Sequence, residues 1–422
     1  MRSDWPVVRL GDHCSKIGSG ATPKGGKEAY LDEGPYRLIR SQNIYNEGFA
    51  WQGLAFISEE QARKLDGVSV EAGDVLVNIT GDSVARVCTA PKAVLPARVN
   101  QHVAIVRPRS TSFDANFVRW FFSSPAEQKK LLGLASAGAT RNALTKAMLE
   151  NLQIPKPPVE VQQELVAPLV AIEERLNLLR QTKTTLESIT QTLFKSWFID
   201  FDPVRAKAEG REPEGMDAAT AALFPAEFEK SAQGLVPKGW PLASVSSLAA
   251  LRGGKQLSRG EFDAAAANPV FGGAGEMGRT NLFNAEGFVL TVGRVGAYCG
   301  RFFWYEGRAW VNNNASIVRP HLSHDGIWLH QMLLASDMEK IKKGAAQPFV
   351  SNGDIEALPI VVPTNALRFA FHAIAEPLYQ KQTALAAHAR LLEDLRDAIL
   401  PRLIYGELRL PDAKSRIAEA IA

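Results

Sequence analysis

The chain contains the same pattern twice. "DWPVVRLGDHCSKIGSG" from Asp4 has a weak echo in "GWPLASVSSLAALRGGK" from Gly239, and "GDVLVNITGDSVARVC" from Gly73 resembles "GFVLTVGRVGAYCGRF" from Gly287. "HVAIVRPRS" pairs with "ASIVRPHLS", "MLENLQIPKPP" with "DIEALPIVVP", and "LESITQTLFKSWF" with "LEDLRDAILPRLI". A repeat this long restricts the chain to folds made from two copies of one unit. Trp5 to Trp240 is 235 positions and Arg107 to Arg319 is 212, while Leu152 to Leu358 and Leu186 to Leu392 are both 206. The late part of each copy keeps its register, and the early parts differ by 29 residues (235 against 206). A frame held to length beneath a surface free to diverge suits two unlike binding surfaces.

The length-fixed part has the spacing of a helix. Leu165, Leu169, Ile172, Leu176, Leu179, Lys183, Leu186, Ile189, Leu193 and Trp197 follow one another in steps of about three and four, the seam of a coiled coil. The second copy runs Phe371, Ile374, Leu378, Leu385, His388, Leu392, Leu395, Ile399 and Leu403. Pro155, Pro157 and Pro158 precede the first seam and Pro359 and Pro363 the second, where proline starts a helix and blocks its backward extension. Two long seams at equal spacing favour helices packed on each other over two separate core helices. A helix from Val161 to Phe198 spans about 55 Å at about 1.5 Å per residue.

The rest of each copy reads as β-rich. "VLVNITG", "HVAIVRP", "FVLTVG" and "ASIVRP" are short β-branched runs bounded by Gly, Pro or Asp. "NFVRWFFSSPAEQKKLLGLAS" and "GIWLHQMLLASDMEKIKKG" read as matched helices. Residues 201–238 are rich in Pro, Gly and charge and read as a linker strapped along the surface, with one short apolar helix near Ala218–Leu223. The boundaries that follow are 1–158 and 239–363 for the β-rich parts, 159–200 and 364–406 for the long helices, and 407–422 for a tail.

Catalytic patterns are missing. "GSGATPKGGKEAY", Gly18 to Tyr30, has Gly20 and Gly25 at the separation of a phosphate-binding loop, but Gly26 stands where lysine is needed. Lys27 is followed by Glu28, which repels phosphate and supplies no hydroxyl for magnesium. No adenine-methyltransferase motif pair and no GxSxG elbow is present. His321, His324 and His330 form H-x-x-H-x5-H, yet no Glu or Cys completes a metal set. Cys14, Cys88 and Cys299 form no CxxC pair. The first residues have no apolar signal core and no run approaches the roughly 18 apolar residues of a membrane span, so the expectation is a cytoplasmic protein without membrane contact. The net charge of +3 and pI of about 8.6 are too mild to announce a nucleic-acid binder and do not exclude one, because placement outweighs the sum.

Several stretches carry binding chemistry. "GPYRLIRSQNIYNEG" packs Arg37, Arg40, Gln42 and Asn43 around Tyr36 and Tyr45; Arg reads guanine and Asn or Gln reads adenine. "GATRNALTKAMLENL" brings Arg141, Asn142 and Lys146 to a helix start, a setting suited to phosphate. The second copy supplies Lys255, Gln256, Arg259, Arg279, Arg294 and Arg301. If Lys24 and Lys27 meet a phosphate at all, a DNA backbone is a better match than a nucleotide; a plain solvated loop is the alternative.

With "DWPVVRLGD", "SGATPKGG", "PYRLIRSQNI", "GATRNALTK", "LQIPKPPVEVQQELV", "LFKSWFIDFDPVRAKAEGREPEGMDAATAALFP", "LVPKGW" and "LEDLRDAILPRLIYGEL", the chain resembles the specificity (S) subunits of type I restriction-modification enzymes over nearly all its length. The resemblance implies an α+β fold with a pseudo-two-fold internal repeat: two α/β target-recognition domains separated by two long antiparallel coiled-coil helices. It implies a non-catalytic subunit for phage defence that reads an asymmetric bipartite site in double-stranded DNA. Two methylation (M) subunits carrying S-adenosylmethionine dock on the helices, two restriction (R) subunits using ATP and magnesium complete the endonuclease, and no cofactor or metal is expected on this chain. The second copy departs from the first: nothing in it resembles "PYRLIRSQNI", and "GAAQPFVSNGD" stands where the first has "AGATRNALTKA". The Arg141 role is therefore not carried across, and Lys342 and Lys343 are the expected phosphate contacts there. The competing readings are a coiled-coil adaptor that binds protein and an enzyme with its own nucleotide site.

Overall fold

The computed structural model describes residues 5–136, 142–232, 234–344 and 346–407. It divides into two compact units, Met1–Leu179 with His388–Ala422, and Arg180–Ala387.

In the first unit the strands Cys14–Ser19, Val103–Pro108, Val75–Asn78 and Val87–Thr89 lie side by side, in that order, as an antiparallel sheet. Its central strands are buried on both faces, which is why they read as unbroken β-branched runs. A three-stranded sheet covers one face: Tyr36–Ile39 pairs antiparallel with Ala55–Ile57 and parallel with Ala97–Val99. Ile39, Leu76, Val99, Val103 and Ile105 fill the space between. The other face receives the helix Ala115–Ser123, whose start is capped by Asp114 accepting from Asn116 N and Phe117 N. Val7–Arg9 pairs with Gln153–Pro155 and closes the unit beside the first long helix.

The second unit repeats this topology. Ala249–Gly253, Ala315–Pro320, Phe288–Gly293 and Phe302–Glu306 form the four-stranded sheet, and Asn268–Gly272 pairs antiparallel with Gly275–Thr280 and parallel with Trp310–Val311. Leu242–Ser244 pairs with Pro359–Val361. Although no sequence like "PYRLIRSQNI" recurs, its strand does: Asn268–Gly272 occupies the place of Tyr36–Ile39.

The long helices are Val159–Phe198 and Asn365–Ile404, each 40 residues. They begin and end 206 positions apart, the offset of the fixed part of the repeat. In the second unit they run antiparallel: Phe194, Trp197 and Phe198 stack around Phe371 at ring separations of 5.3–6.1 Å, while Glu187, further back along the first helix, acts on Tyr379, further on in the second. The seam departs from the heptad reading past Leu179. Leu165, Leu169, Ile172, Leu176 and Leu179 are buried, but Ile189 is 47% exposed and Thr190 and Phe194 take the inner positions. Likewise Ile374 is 43% exposed, with Ala375 buried in its stead. The inward face is set by the sheet domain against which each stretch packs, and one uniform 3.5-residue seam does not follow that change of partner.

Two polar pins join each domain to its helices, at homologous places. Gln162 accepts from Asp114 N (2.8 Å) and donates to Ser112 O and Pro157 O. In the second unit Arg368 takes its place, donating to the buried Asp325 (2.7 Å) and to Pro363 O (2.7 Å). Three turns further along, Arg119 grips Glu173 through two bonds of 2.7 and 2.9 Å; in the second copy His330 and Tyr379 occupy this position, 2.6 Å apart. Each unit thus uses one charged pin and one neutral pin, in opposite order.

The segment expected to be a surface linker is built into the second unit. Helix Asp202–Ala208 buries Val204 and Ala206, and Phe224 is buried against Trp197 and Trp240. Its high Pro, Gly and charge content masks the few apolar anchors that fold it.

Glu173→Ala should leave the Arg119 charge buried without its partner and lower stability by about 3 kcal/mol, read as a fall in the urea midpoint; Arg119→Met with Glu173→Met should recover most of the loss. Burial pushes His330 down to about 3 from 6.5, so the unfolded chain takes up the proton first. Stability should be complete above about pH 6.5 and fall by about 1.4 kcal/mol per pH unit toward pH 3 from this residue alone. His330→Gln should flatten the pH dependence of the urea midpoint by one proton.

Candidate nucleic-acid interface

In both units the hairpin joining the second and third strands of the repeat carries an eight-residue loop, Ile79–Arg86 and Arg294–Arg301. The two loops share backbone bonds: Asn78 N donates to Arg86 O and Gly293 N to Arg301 O, and Ala85 N donates to Asn78 O as Gly300 N does to Gly293 O. Ala85 (φ 70°) and Gly300 (φ 77°) both adopt the left-handed conformation at the loop's end. Each loop is joined by a second segment: Leu144 N donates to Ile79 O and Val350 N to Arg294 O, while Gly81 N donates to Asn142 O and Gly296 N to Pro348 O. Asn142 and Pro348 are therefore equivalents, as are Arg86 and Arg301.

On these matched frames the side chains differ. In the first unit the loops enclose a hollow lined by Gln42, Tyr45, Thr80, Ser83, Arg86 and Asn142. Arg86 stacks on Tyr45 (4.7 Å), Asn78 donates to Ser41 O and to Ser83 Oγ, and Gln42 is held by Gly53 O (2.9 Å). In the second unit Val295, Tyr298 and Phe349 are exposed at the same place, Val295 bridges Phe349, and Arg301 stacks on Tyr298 (5.0 Å). The first surface offers hydrogen-bond donors and acceptors; the second offers apolar and aromatic contact beside a guanidinium.

The glycine-rich loop has a structural explanation. Gly20 N donates to Val103 O and Ala21 N to Val99 O; Gly254 N donates to Ala315 O and Lys255 N to Val311 O. A Cβ at Gly20 or Gly254 would overlap the carbonyls of Val99 and Asn100, or of Val311 and Asn312. These glycines let one strand pass from the first sheet to the second, so "GSGATPKGG" corresponds to "GGKQLSRG" and Lys255 to Ala21.

Among the other sequence-derived candidates, Asn43 is fully buried and its amide is used on Ala50 O and Arg40 N, so it shapes the turn and does not reach a ligand. Arg37 donates to Leu95 O and Val94 O. Arg40 donates to Gly53 O and lies over Tyr30. Arg279 is held by Ala266 O and Ala267 O within its own hairpin. Lys342 pairs with Glu339, Lys343 with Asp354 and Lys146 with Glu150. Lys24, Asn142, Lys255, Gln256, Arg259 and Arg301 are exposed, and Arg294 is half-buried. Arg141 and the side chain of Lys27 lie outside the described residues. Arg86 was not among the candidates; the "ARV" and "GRF" endings of the two matched hairpins were the signal for it.

No group of three or more metal-ligating side chains occurs among the described residues. His321, His324 and His330 turn to Ser246 O, Asn365 and Tyr379 respectively. Burial pushes the Cys14 and Cys88 thiols up to about 12, which leaves neither as a nucleophile. No helix among the described residues is long and apolar enough to cross a membrane.

Residues 2–188 match the family described as type I restriction modification DNA specificity domain. Across almost its whole length the chain is similar to the type I restriction enzyme MjaIX specificity subunit of Methanocaldococcus jannaschii (22% identity, 97% of this chain and 94% of that one). It is similar also to the HindI specificity subunit of Haemophilus influenzae (22% identity, 96% and 100%). The fold is that of the crystal structure of a type I restriction-modification S subunit from M. genitalium, with a TM-score of 0.59 at 16% identity over 95% and 96% of the two chains. Over nearly its whole length the chain is thus similar to type I restriction-modification specificity subunits, with the DNA specificity domain matched in residues 2–188.

Proposed function

We propose that this subunit reads a bipartite, asymmetric site in double-stranded DNA, one half with each unit. The observation that carries this reading is the pair of matched loops, Ile79–Arg86 and Arg294–Arg301, which bear unlike side chains on one backbone plan. Like surfaces would read two like half-sites; these differ in hydrogen-bonding capacity, so the half-sites differ. Gln42, Arg86 and Asn142 contact base edges of the first half-site, where an amide pairs with adenine and a guanidinium with guanine. Arg294 and Arg301, with Val295, Tyr298 and Phe349, read the second, where apolar side chains suit a thymine methyl group or a widened base step. Lys24, Lys255, Gln256 and Arg259 steady the backbone.

The two equal helices serve as the spacer between half-sites, and apolar side chains exposed on them, Ile189, Phe369 and Leu391, offer footing for two methylation subunits bearing S-adenosylmethionine. Two restriction subunits using ATP and magnesium complete the endonuclease. Such a complex works where the cell keeps its DNA, in the cytoplasm.

Gln42→Ala with Asn142→Ala should relax the first half-site while leaving the second, and the complex with methylation subunits, intact. Mapping methylated adenines by single-molecule sequencing reads this directly; an unchanged motif in both halves rejects the placement of these residues at the bases. Adding one heptad after Leu179 and another after Ala387, where the two units meet along the chain, should lengthen the required gap by about three base pairs, from about 1.5 Å per helical residue and about 3.4 Å per base pair. A fixed gap in that variant rejects the helices as the spacer.

A further inference from the structure

One cationic position of the repeat has changed its surroundings between the copies. In the first unit Arg107 donates to both carboxylate oxygens of buried Asp74 (2.7 and 2.8 Å), to Glu71 and to Ser69 O. Lys16, directly opposite it in the sheet, donates to Gly67 O, and Arg98 nearby pairs with Asp66 (2.6 Å). Three cations there are matched by three carboxylates.

In the second unit Arg319 holds the position of Arg107. By strand register Val289 replaces Asp74 and Ala250 replaces Lys16. The carboxylate ahead of Val289, Glu286, is bound to Arg308 (2.8 Å). Arg252 stands on the same face as Arg319, two residues from its cross-strand partner Ala250. Arg252, Lys255 and Arg319 line one hollow with Phe283 and Trp310, and no acidic side chain lines it. All three cations are exposed, and none has an ion pair or side-chain hydrogen bond among the described residues. Trp310 Nε1 donates to Lys255 O (2.8 Å) and fixes the start of that loop. The hollow adjoins the readout surface: Gly253 lines it, and Arg294 Nη1 lies 3.6 Å from where a Cβ of Gly253 would stand.

Three unneutralised cations around a concave surface draw a polyanion, and unpaired guanidinium forks match phosphate oxygens. We propose that Arg252, Lys255 and Arg319 form a phosphate seat that grips the DNA backbone beside the second half-site, a grip that the first unit has neutralised at the corresponding place. The proposal rests on the DNA-reading function above.

The test uses the full chain with its methylation subunits and fluorescently labelled duplexes, one carrying the mapped methylation motif and one scrambled, with anisotropy followed from 50 to 200 mM salt. Arg252→Gln with Arg319→Gln should flatten the slope of log affinity against log salt by about two, since each lost phosphate contact removes about 0.9. At about 0.1 M salt that corresponds to a loss of 10- to 100-fold, equal on both duplexes, with the motif-to-scrambled ratio unchanged. Arg252→Lys with Arg319→Lys, which keeps the charge, should restore the slope and so separates a lost contact from a misfolded unit. A slope unchanged in the glutamine variant, while the parent still prefers its motif, overturns the seat alone. Loss of methylation subunits from the glutamine complex with an unchanged slope also overturns it, because the hollow then meets an acidic protein surface. A parent that shows no motif preference overturns the DNA-reading function and the seat together.

Discussion

The fold depends on how each sheet domain is fastened to its helices. The fastening uses polar groups shielded wholly or largely from water at two set positions, Gln162 with Glu173 in one copy and Arg368 with Tyr379 in the other. A buried charge or amide is costly unless its partner is within bonding distance, so a helix inserted or shortened by one residue would swing both partners off the domain's face by about 100°. This is a physical reason for the 206-residue register. Insertions between strands meet no such penalty, because loops lie in solvent and closure entropy grows slowly with length. The 29 residues by which the early parts differ fall in that tolerant region.

The same logic lets the loops Ile79–Arg86 and Arg294–Arg301 diverge. Their backbone bonds to the second segment are made by main-chain atoms, Leu144 N to Ile79 O and Val350 N to Arg294 O, and these do not depend on side-chain identity. The frame therefore accepts Asn142 in one copy and Pro348 in the other, or Ser83 and Tyr298, without a change of path. Two features resist change: the glycines at 20 and 254, which occupy a crossing too tight for any Cβ, and the arginines at 86 and 301, each laid on a tyrosine. The tyrosines come from different parts of the chain, Tyr45 before the hairpin and Tyr298 within it, so the geometry recurs while the sequence does not.

That difference explains what could be read from residues alone. The duplication, the helix pair and the β-rich domains were legible because they are written in period and spacing. Asn43 looked like an adenine reader because its residue type fits, yet its amide is consumed by the turn that presents Gln42. Arg279 and Lys343 were similarly plausible by type and are held by neighbours distant in sequence or facing across a turn. The strand Asn268–Gly272 escaped notice because its partner Trp310–Val311 lies some forty residues away, and no local pattern marks a parallel pairing of two residues.

Charge shows the same limit most sharply. A net +3 describes neither unit, because it sums Arg107, whose charge is met by Asp74 and Glu71, with Arg319, whose charge is met by nothing among the described residues. The two arginines sit in the nearly identical strings "IVRPR" and "IVRPH", and what separates them is one buried residue on the adjacent strand: aspartate at 74 or valine at 289. An aspartate at 289 would find Arg319 as its partner and restore the neutral state of the first copy. Valine at 289 instead joins the apolar layer with Phe271, Val311 and Ile317, so the substitution that completes this core also leaves a cation without its counter-charge. In the first copy the arginine locks the sheet; in the second the apolar core replaces that lock and the arginine turns to solvent, where the field of a phosphate backbone extends about 8–10 Å at physiological salt.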